Sequence, residues 1–174
     1  MYKEGIIKTE MRNEKMEKTI QAIKEQVEAG MHFVVSGEPG LGKLDLTKQV
    51  LNDLNKRFEL INGSQCEELF VEFTVIFGTK SPDVIIIEEA DRIQKAKEYR
   101  HVLLFAKQAN IQVIALVGEK EHTQEPALYQ MNEAVWYYIN AQHLPIVSID
   151  KEEAQQKAAE TFPWLNDVLN HSQK

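Results

Sequence analysis

The segment from Gly37 to Lys43 constrains the fold of this chain more than any other part of it. It matches the pattern G-x-x-x-x-G-K and lies between a short β-prone run, residues 31–35, and a stretch with helical spacing of apolar residues. In such a loop the glycines let successive backbone N–H groups point at phosphate oxygens, and the lysine reaches the terminal phosphates. The alternative, a glycine-rich turn without a ligand, does not account for the lysine. The residues predicted to contact a nucleotide, ATP or ADP, are Gly37, Glu38, Pro39, Gly40, Leu41, Gly42, Lys43 and Leu44.

One position departs from this pattern. The residue after the lysine is ordinarily Ser or Thr, whose hydroxyl binds Mg²⁺, but here it is Leu44. Thr47 lies three residues further along the predicted helix, nearly one turn away, so it cannot place an oxygen at the same point. The sequence therefore predicts phosphate binding and argues against normal coordination of Mg²⁺.

Two acidic residues follow a second apolar run. Val84 to Ile87 is continuously apolar, and Glu88 and Glu89 come directly after it. A buried parallel strand delivers such carboxylates to its carboxyl end, where phosphates bind. Glu88 is the candidate metal ligand, one methylene longer than the usual Asp, and Glu89 is the candidate general base that polarises an attacking water. Both are predicted catalytic residues; the alternative is that they are solvated loop residues.

Apolar periodicity alternates between that of strands and that of helices along the chain. Strands are expected to start near residues 31, 58, 84, 111 and 144, with helices at about 9–29, 43–55, 96–109 and 126–139 and from 151. Ser64 to Glu67 has capping-box spacing and predicts one more helix, with Leu69 to Phe77 on its apolar positions. We predict an α/β fold, a three-layer P-loop NTPase with a parallel five-stranded sheet flanked by helices.

Composition limits the class of protein. The chain has 174 residues, 43% of them apolar, and we expect one domain over residues 1–174: an N-terminal helix within 1–30, a core at 31–150 and a short C-terminal helical tail at 151–174. No apolar run is long enough to span a membrane, residues 1–5 lack the apolar region and cleavage site of a signal peptide, and the single cysteine excludes an internal disulfide. We therefore expect a cytoplasmic protein. The net charge of −7 does not indicate DNA contact, although a local basic patch would remain compatible with it.

The sequence resembles the AAA+ ATPases. Phe33 to Lys43 resembles their first strand and Walker A loop, and Ile85 to Arg92 resembles the Asp-Glu-Ala-Asp Walker B of clamp-loader and helicase-loader subunits. Glu125 to Met131 is similar to the segment that ends in a trans-acting arginine, and Leu144 to Glu153 resembles the last strand and the start of the lid. The likeness covers about residues 15 to 160.

The chain departs from this family at its arginines. No arginine follows Arg100; the finger position falls at Met131 or Asn132, and the polar sensor falls near Gly118 or Glu119. The stretch after the last strand is also too short for a full helical lid. The resemblance, with these departures, implies a degenerate AAA+ domain with weak or absent ATP hydrolysis.

The resemblance also implies a role. We expect a nucleotide-binding subunit that acts through protein contacts, with AAA+ subunits or a replication or recombination complex, in DNA replication, recombination or mobile-element maintenance. An oligomer is compatible with the sequence. Two alternatives stay open: an active ATPase with non-standard Mg²⁺ coordination and a partner-supplied arginine, and an interaction scaffold that binds no nucleotide.

Overall fold

Helices and strands alternate along the chain. The computed structural model describes residues 17–37, 40–118 and 126–149, and for 126–133 it describes the backbone alone. Within these residues the elements are α1 (17–29), β1 (Phe33–Ser36), α2 (Lys43–Asp53), β2 (Phe58–Asn62), α3 (Leu69–Lys80), β3 (Val84–Glu88), a short 3-10 helix (Ala90–Arg92), α4 (Ala96–Ala109), β4 (Gln112–Val117), α5 (Pro126–Ala141) and β5 (Ile146–Ser148).

The five strands form one parallel sheet in the order β2-β3-β4-β1-β5. The predicted fold class, a parallel five-stranded sheet flanked by helices, is confirmed. The strand order was not predicted, because periodicity reports which faces of a strand are buried and not which strands are neighbours.

The three central strands bury side chains on both faces. Alternate residues of β3 enter different cores: Ile85 and Ile87 pack with α3, α4 and α5, whereas Val84 and Ile86 pack with α1 and α2. All residues of β1 and β4 are buried in the same way, while β2 and β5 at the edges are partly exposed. This explains why the central strands read as continuous apolar runs, since a parallel sheet covered on both sides leaves no polar face.

Aromatic side chains join α3 to α4. Phe105 of α4 lies edge-on to Phe70, Phe73 and Phe77 of α3, with ring centroids 5.4 to 5.9 Å apart. Such perpendicular pairs are favourable because the positive edge of one ring meets the negative face of the other. The predicted apolar positions of α3 therefore face the α4 layer.

The predicted start of α3 was wrong. Ser64 does not cap the helix, which begins five residues later with Glu68 at the N-cap position. Instead, the Oε2 atom of Glu98, on α4, accepts the backbone N–H of Leu69 at 3.1 Å. A neighbouring helix thus satisfies one of the N–H groups that every helix leaves unpaired at its start.

Other predicted elements agree with the structure to within a few residues. The helix predicted at 96–109 has these bounds, and that at 126–139 ends at Ala141. The predicted helix from residue 151, and the start of the N-terminal helix before residue 17, lie outside the described residues. In the part of the chain that the structure describes, no helix has both the length and the hydrophobicity needed to cross a bilayer.

Candidate functional site

A cavity of about 370 Å³ opens at the carboxyl edge of the sheet, where β1, β3 and β4 end. The chain leaves β1 for β2 at one far edge of the sheet and later adds β5 on the other side of β1. Ligands of open α/β sheets bind in the crevice that such a change of direction creates. The lining residues are Gly40, Leu41, Gly42, Lys43, Leu44, Asp45, Glu88, Glu89, Asp91, Arg92, Leu116, Val117 and Gly118.

The glycine loop adopts a conformation that only glycine takes without strain. Gly40 has φ +85° and Gly42 has φ +78°, although open space surrounds the Cβ position of both. The backbone conformation, and not crowding, therefore requires glycine at these positions. Gly42 is the N-cap residue of α2, with no side chain capping the first turn. The N–H groups at this helix start, with their partial positive charge, are suited to an anionic ligand.

Lys43 lies at the first residue of α2 and lines the cavity. Its Nζ atom donates to the carbonyl oxygen of Gly37 at 2.5 Å. Gly37 in turn donates its N–H to the carbonyl of Val117, at the end of β4, at 3.2 Å. The lysine, the loop and the end of the neighbouring strand are thus connected by hydrogen bonds.

The residues after Lys43 offer no hydroxyl to the cavity. Leu44 is half-buried and packs against the core formed with α1 and α2. Thr47 is fully buried, and its hydroxyl donates to the Lys43 carbonyl at 2.7 Å, inside the helix. The usual protein oxygen for Mg²⁺ is therefore missing from this end of the site.

Glu88 and Glu89 enter the cavity from the end of β3. Glu88 is the last residue of the strand and pairs with Asn62 of β2. Glu89 has φ +48°, a left-handed conformation that turns the chain out of the strand and into the 3-10 helix. Non-glycine residues adopt it at a cost and are found so at functional sites more often than elsewhere.

Both oxygens of the Glu89 carboxylate have partners. Its Oε2 atom accepts the hydroxyl of Ser64, and its Oε1 atom lies 3.6 Å from Nη1 of Arg92. Ser64 is itself held by Asn62, whose Oδ1 atom accepts the Ser64 backbone N–H at 3.0 Å. The Ser64 hydrogen bond orients the carboxylate without burying it, since the Glu89 side chain is 45% exposed.

Gly63 allows this approach of β2 to β3. Its N–H donates to the Glu88 carbonyl at 2.7 Å, and a Cβ there would lie 2.7 Å from the Glu89 carbonyl oxygen. A larger residue would have to displace the backbone that carries both acids. The close packing of two strand ends therefore sets the position of Glu88 and Glu89.

Sequence reasoning missed part of this site. The sequence pattern predicts a helix cap at Ser64 and gives no role in the site to Asn62, Gly63 or Arg92. Ser64 contacts Glu89, which is 25 residues away, so no local pattern indicates that contact. Arg92 lies only three residues after Glu89, but a spacing of three does not show that both side chains reach one cavity. A possible signal was that Asn62 follows a predicted strand directly, because all parallel strands end at the same edge.

The remaining predicted residues are distributed as follows. Gly40, Leu41, Gly42, Lys43, Leu44, Glu88 and Glu89 all line the cavity, and Gly37 adjoins it through Lys43. Glu38 and Pro39 lie outside the described residues. Of the two sensor positions, Gly118 lines the cavity and Glu119 lies outside the described residues. Met131 and Asn132 lie on α5, where only the backbone is described.

The charges of the lining are unbalanced. Four carboxylates, those of Asp45, Glu88, Glu89 and Asp91, face two cations, Lys43 and Arg92. In the described residues no group of three or more His, Cys, Asp or Glu side chains could hold a metal ion by itself. A Mg²⁺ bound here would take most of its ligands from phosphates and water, which is how proteins often bind this ion.

The fold and the glycine loop define a P-loop domain of the AAA+ type. A family model described as the Holliday junction DNA helicase RuvB P-loop domain matches residues 2–135. The chain belongs to this family.

Individual proteins are similar over shorter stretches. The sliding-clamp-loader large subunit of Escherichia phage RB69 is 31% identical over 104 residues, 55% of this chain and 32% of that protein. The Holliday junction branch migration complex subunit RuvB of Phytoplasma mali is 31% identical over 102 residues, 59% of this chain and 30% of that protein. The aligned part thus spans about a third of the length of these relatives.

The fold is also that of a solved structure. A point variant of RuvB from Thermotoga maritima superimposes with a TM-score of 0.51 at 21% identity, over 90% of this chain and 52% of that protein. At this identity the likeness supports the fold alone.

Proposed function

We propose that this chain binds ATP or ADP at the loop Gly37 to Leu44 and hydrolyses it weakly or not at all. One observation carries the proposal. The cavity is lined on one side by the glycine loop, with its two left-handed glycines, by Lys43 and by the start of α2, which no side chain caps. Glu88 and Glu89 line the other side. Backbone N–H groups, a lysine and a helix N-terminus are the groups that P-loops use for phosphates.

Within this proposal each group has a role. The backbone N–H groups of the loop bind the phosphates, and Lys43 contacts the terminal ones. Glu88 would supply the protein ligand to a bound metal ion, and Glu89 would orient an attacking water. A nucleotide would bring the phosphate oxygens that Mg²⁺ needs.

Weak hydrolysis follows from groups that this site lacks. Leu44 replaces a metal-binding hydroxyl, and the hydroxyl of Thr47 is used inside the helix. Gly118 stands at one expected sensor position and has no polar side chain. Phosphoryl transfer depends almost entirely on positioning and on electrostatic stabilisation, so each lost ligand lowers the rate.

The role of the domain is proposed from its relatives. The clamp-loader protein is named as a large subunit, and RuvB is named as a subunit of a branch migration complex. We propose that this chain likewise acts through protein partners, in DNA replication, recombination or the maintenance of mobile elements. The net charge of −7 favours protein contacts over a broad DNA-binding surface.

One observation favours a second candidate, an active ATPase. The hydrogen bond from Ser64 orients the Glu89 carboxylate, and Arg92 lies near its other oxygen. A general base needs such orientation. In this alternative a partner chain supplies the missing arginine, and water replaces the metal ligand lost at Leu44.

Calorimetry with ATP and with ADP, in Mg²⁺ and in EDTA, tests the proposal. We expect both nucleotides to bind, with affinities that differ by less than about tenfold between the two buffers, because Leu44 supplies no metal ligand. Phosphate release should stay at the background level in the same preparations.

Two other results would favour the active ATPase or the interaction scaffold instead. Turnover that Glu89→Gln abolishes would establish the active ATPase. Absence of binding in both buffers, with a cooperative melting transition showing that the protein is folded, would leave the interaction scaffold.

A further inference from the structure

Arg92 occupies a particular place among the arginines of this chain. Arg57 lies at the amino edge of the sheet, where it contacts Asp83 and the Ser81 carbonyl, and Arg100 is exposed on α4. In the described residues Arg92 is the arginine that lines the cavity. Arg12 lies outside the described residues.

The backbone that carries Arg92 is anchored. It is the last residue of the 3-10 helix that follows β3, and its N–H donates to the Glu89 carbonyl at 2.9 Å. Ala90 and Ile93, on either side, are fully buried in the core. The backbone of Arg92 is therefore fixed by its neighbours, while its side chain is partly exposed.

The charge contact of Arg92 with Glu89 is weak. The two atoms are 3.6 Å apart, longer than a hydrogen bond, and the side chains are 43% and 45% exposed. Exposed ion pairs of this kind contribute little to stability. Another anion at the same distance can replace Glu89 at small cost.

The terminal phosphate of ATP is such an anion. It carries more charge than a carboxylate, and its oxygens match the two-pronged donor geometry of a guanidinium group. In P-loop domains the loop cradles the α- and β-phosphates. The acid that follows the Walker B strand holds the metal ion that bridges the β- and γ-phosphates, so the residues after β3 lie on the side of the terminal phosphate. ADP lacks the group that Arg92 would reach.

We propose that Arg92 binds the terminal phosphate of ATP from within the same chain and makes the site prefer ATP to ADP. The proposal rests on nucleotide binding at the cavity. Arg92 exchanges Glu89 for the phosphate when ATP binds, which releases Oε1 of the carboxylate while Ser64 still holds Oε2. A conformational difference between the ATP and ADP states then begins at the 3-10 helix.

The test is calorimetry with ATP and with ADP on the unaltered chain and on three variants. Arg92→Gln should weaken ATP binding by about tenfold or more, since a hydrogen bond to a charged group is lost, and should change ADP binding by less than about twofold. Arg92→Lys should lie between, because it keeps the charge and loses the planar fork. Arg100→Gln, on the exposed face of α4, is the matched control and should bind both nucleotides normally.

Two other outcomes would contradict the proposed role of Arg92. If Arg92→Gln weakened ATP and ADP equally, or neither, the selectivity proposed for Arg92 would be wrong while nucleotide binding stood. If the unaltered chain bound neither nucleotide, the proposed function would fail together with this inference.

A double-mutant cycle tests the exchange itself. Glu89→Gln removes the competing carboxylate and should strengthen ATP binding, and part of this gain should disappear when Arg92 is also Gln. Full additivity of the two substitutions would show that Arg92 does not move from Glu89 to the phosphate.

Discussion

The two edges of the sheet use their polar side chains differently. At the amino edge two side chains bind backbone groups of neighbouring segments. Gln112 donates from Nε2 to the carbonyls of Gln26 and Met31 at 3.0 and 2.6 Å, and His32 accepts the N–H of Val113 on Nδ1 at 3.0 Å. At the carboxyl edge the acid Glu89 contacts other side chains, those of Ser64 and Arg92. The first set joins neighbouring elements, whereas Glu89 and Arg92 of the second set line the cavity.

Cavity size does not separate these edges. The cavity at the amino edge, about 660 Å³, is larger than that at the carboxyl edge, about 370 Å³. Yet two of its polar lining residues, Gln112 and His32, already bind backbone groups of neighbouring segments. In this fold the candidate site is therefore identified by the glycine loop, the lysine and the acids that line a cavity, and not by the volume of that cavity. Substitutions at the two edges should therefore separate binding from stability.

The largest effect is expected at Lys43. Lys43→Ala should lower nucleotide affinity by about a hundredfold or more, because it removes the cation that contacts the terminal phosphates, and should change the free energy of unfolding by less than about 1 kcal/mol. Calorimetry and denaturant unfolding measure the two quantities. Lys48→Ala on the same helix, outside the cavity, is the control and should leave affinity unchanged. Equal affinities for the two variants would refute the role assigned to the carboxyl edge.

The opposite result is expected at Gln112. Gln112→Met should destabilise the protein by about 2–3 kcal/mol, because it leaves two backbone carbonyls without their donor, and should leave nucleotide affinity unchanged. Urea unfolding of this variant is compared with that of Gln108→Met, an exposed position on α4. A loss of nucleotide binding at unchanged stability would contradict the division between the edges.

The smallest effect is a dependence on pH at His32. Burial lowers the pKa of His32 and the charge of Lys107 lowers it further, against a hydrogen bond with the Leu103 carbonyl. Below about pH 6.5 His32 binds a proton in the unfolded chain but less readily in the folded protein. Protonation therefore favours unfolding, so the contribution of neutral His32 to stability is complete above about pH 6.5 and is lost as the pH falls.

The measurement is the free energy of unfolding between pH 7.5 and 5, a range set about the usual histidine pKa. His32→Gln should remove up to about 1.4 kcal/mol per pH unit of the dependence below pH 6.5, the slope for one proton. His101→Gln, exposed on α4, should keep the full dependence. An unchanged slope in His32→Gln would mean that another group causes it.

Much of the fold was predictable because its signals are local. The central strands read as continuous apolar runs, since both faces are covered, and the glycine loop was placed between β1 and α2 by its own residues. The helix at Ala96–Ala109 was predicted at its observed bounds from apolar spacing. Period and turn chemistry depend on residues a few positions apart, which a sequence displays directly.

The start of α3 was not predictable in this way. Ser64 and Glu67 have the spacing of a capping box, but the N–H of Leu69 is satisfied by Glu98, 29 residues further along the chain. Ser64 instead contacts Glu89, which is 25 residues away. A side chain can bind any group that the fold brings near it, and many of these groups are far away in the sequence. A local sequence pattern therefore does not identify the partner.

The sequence by itself determined the parallel α/β fold, the loop with Lys43 and the two acids after β3, because each is encoded in a contiguous segment. Only the tertiary structure decided that β2 lies beside β3, which brings Asn62, Gly63 and Ser64 to those acids, and that Arg92 faces the same cavity as Lys43. The physical reason is that strand order follows from the packing of helices on both faces of the whole sheet. A single segment therefore specifies its own strand or helix but not its neighbours.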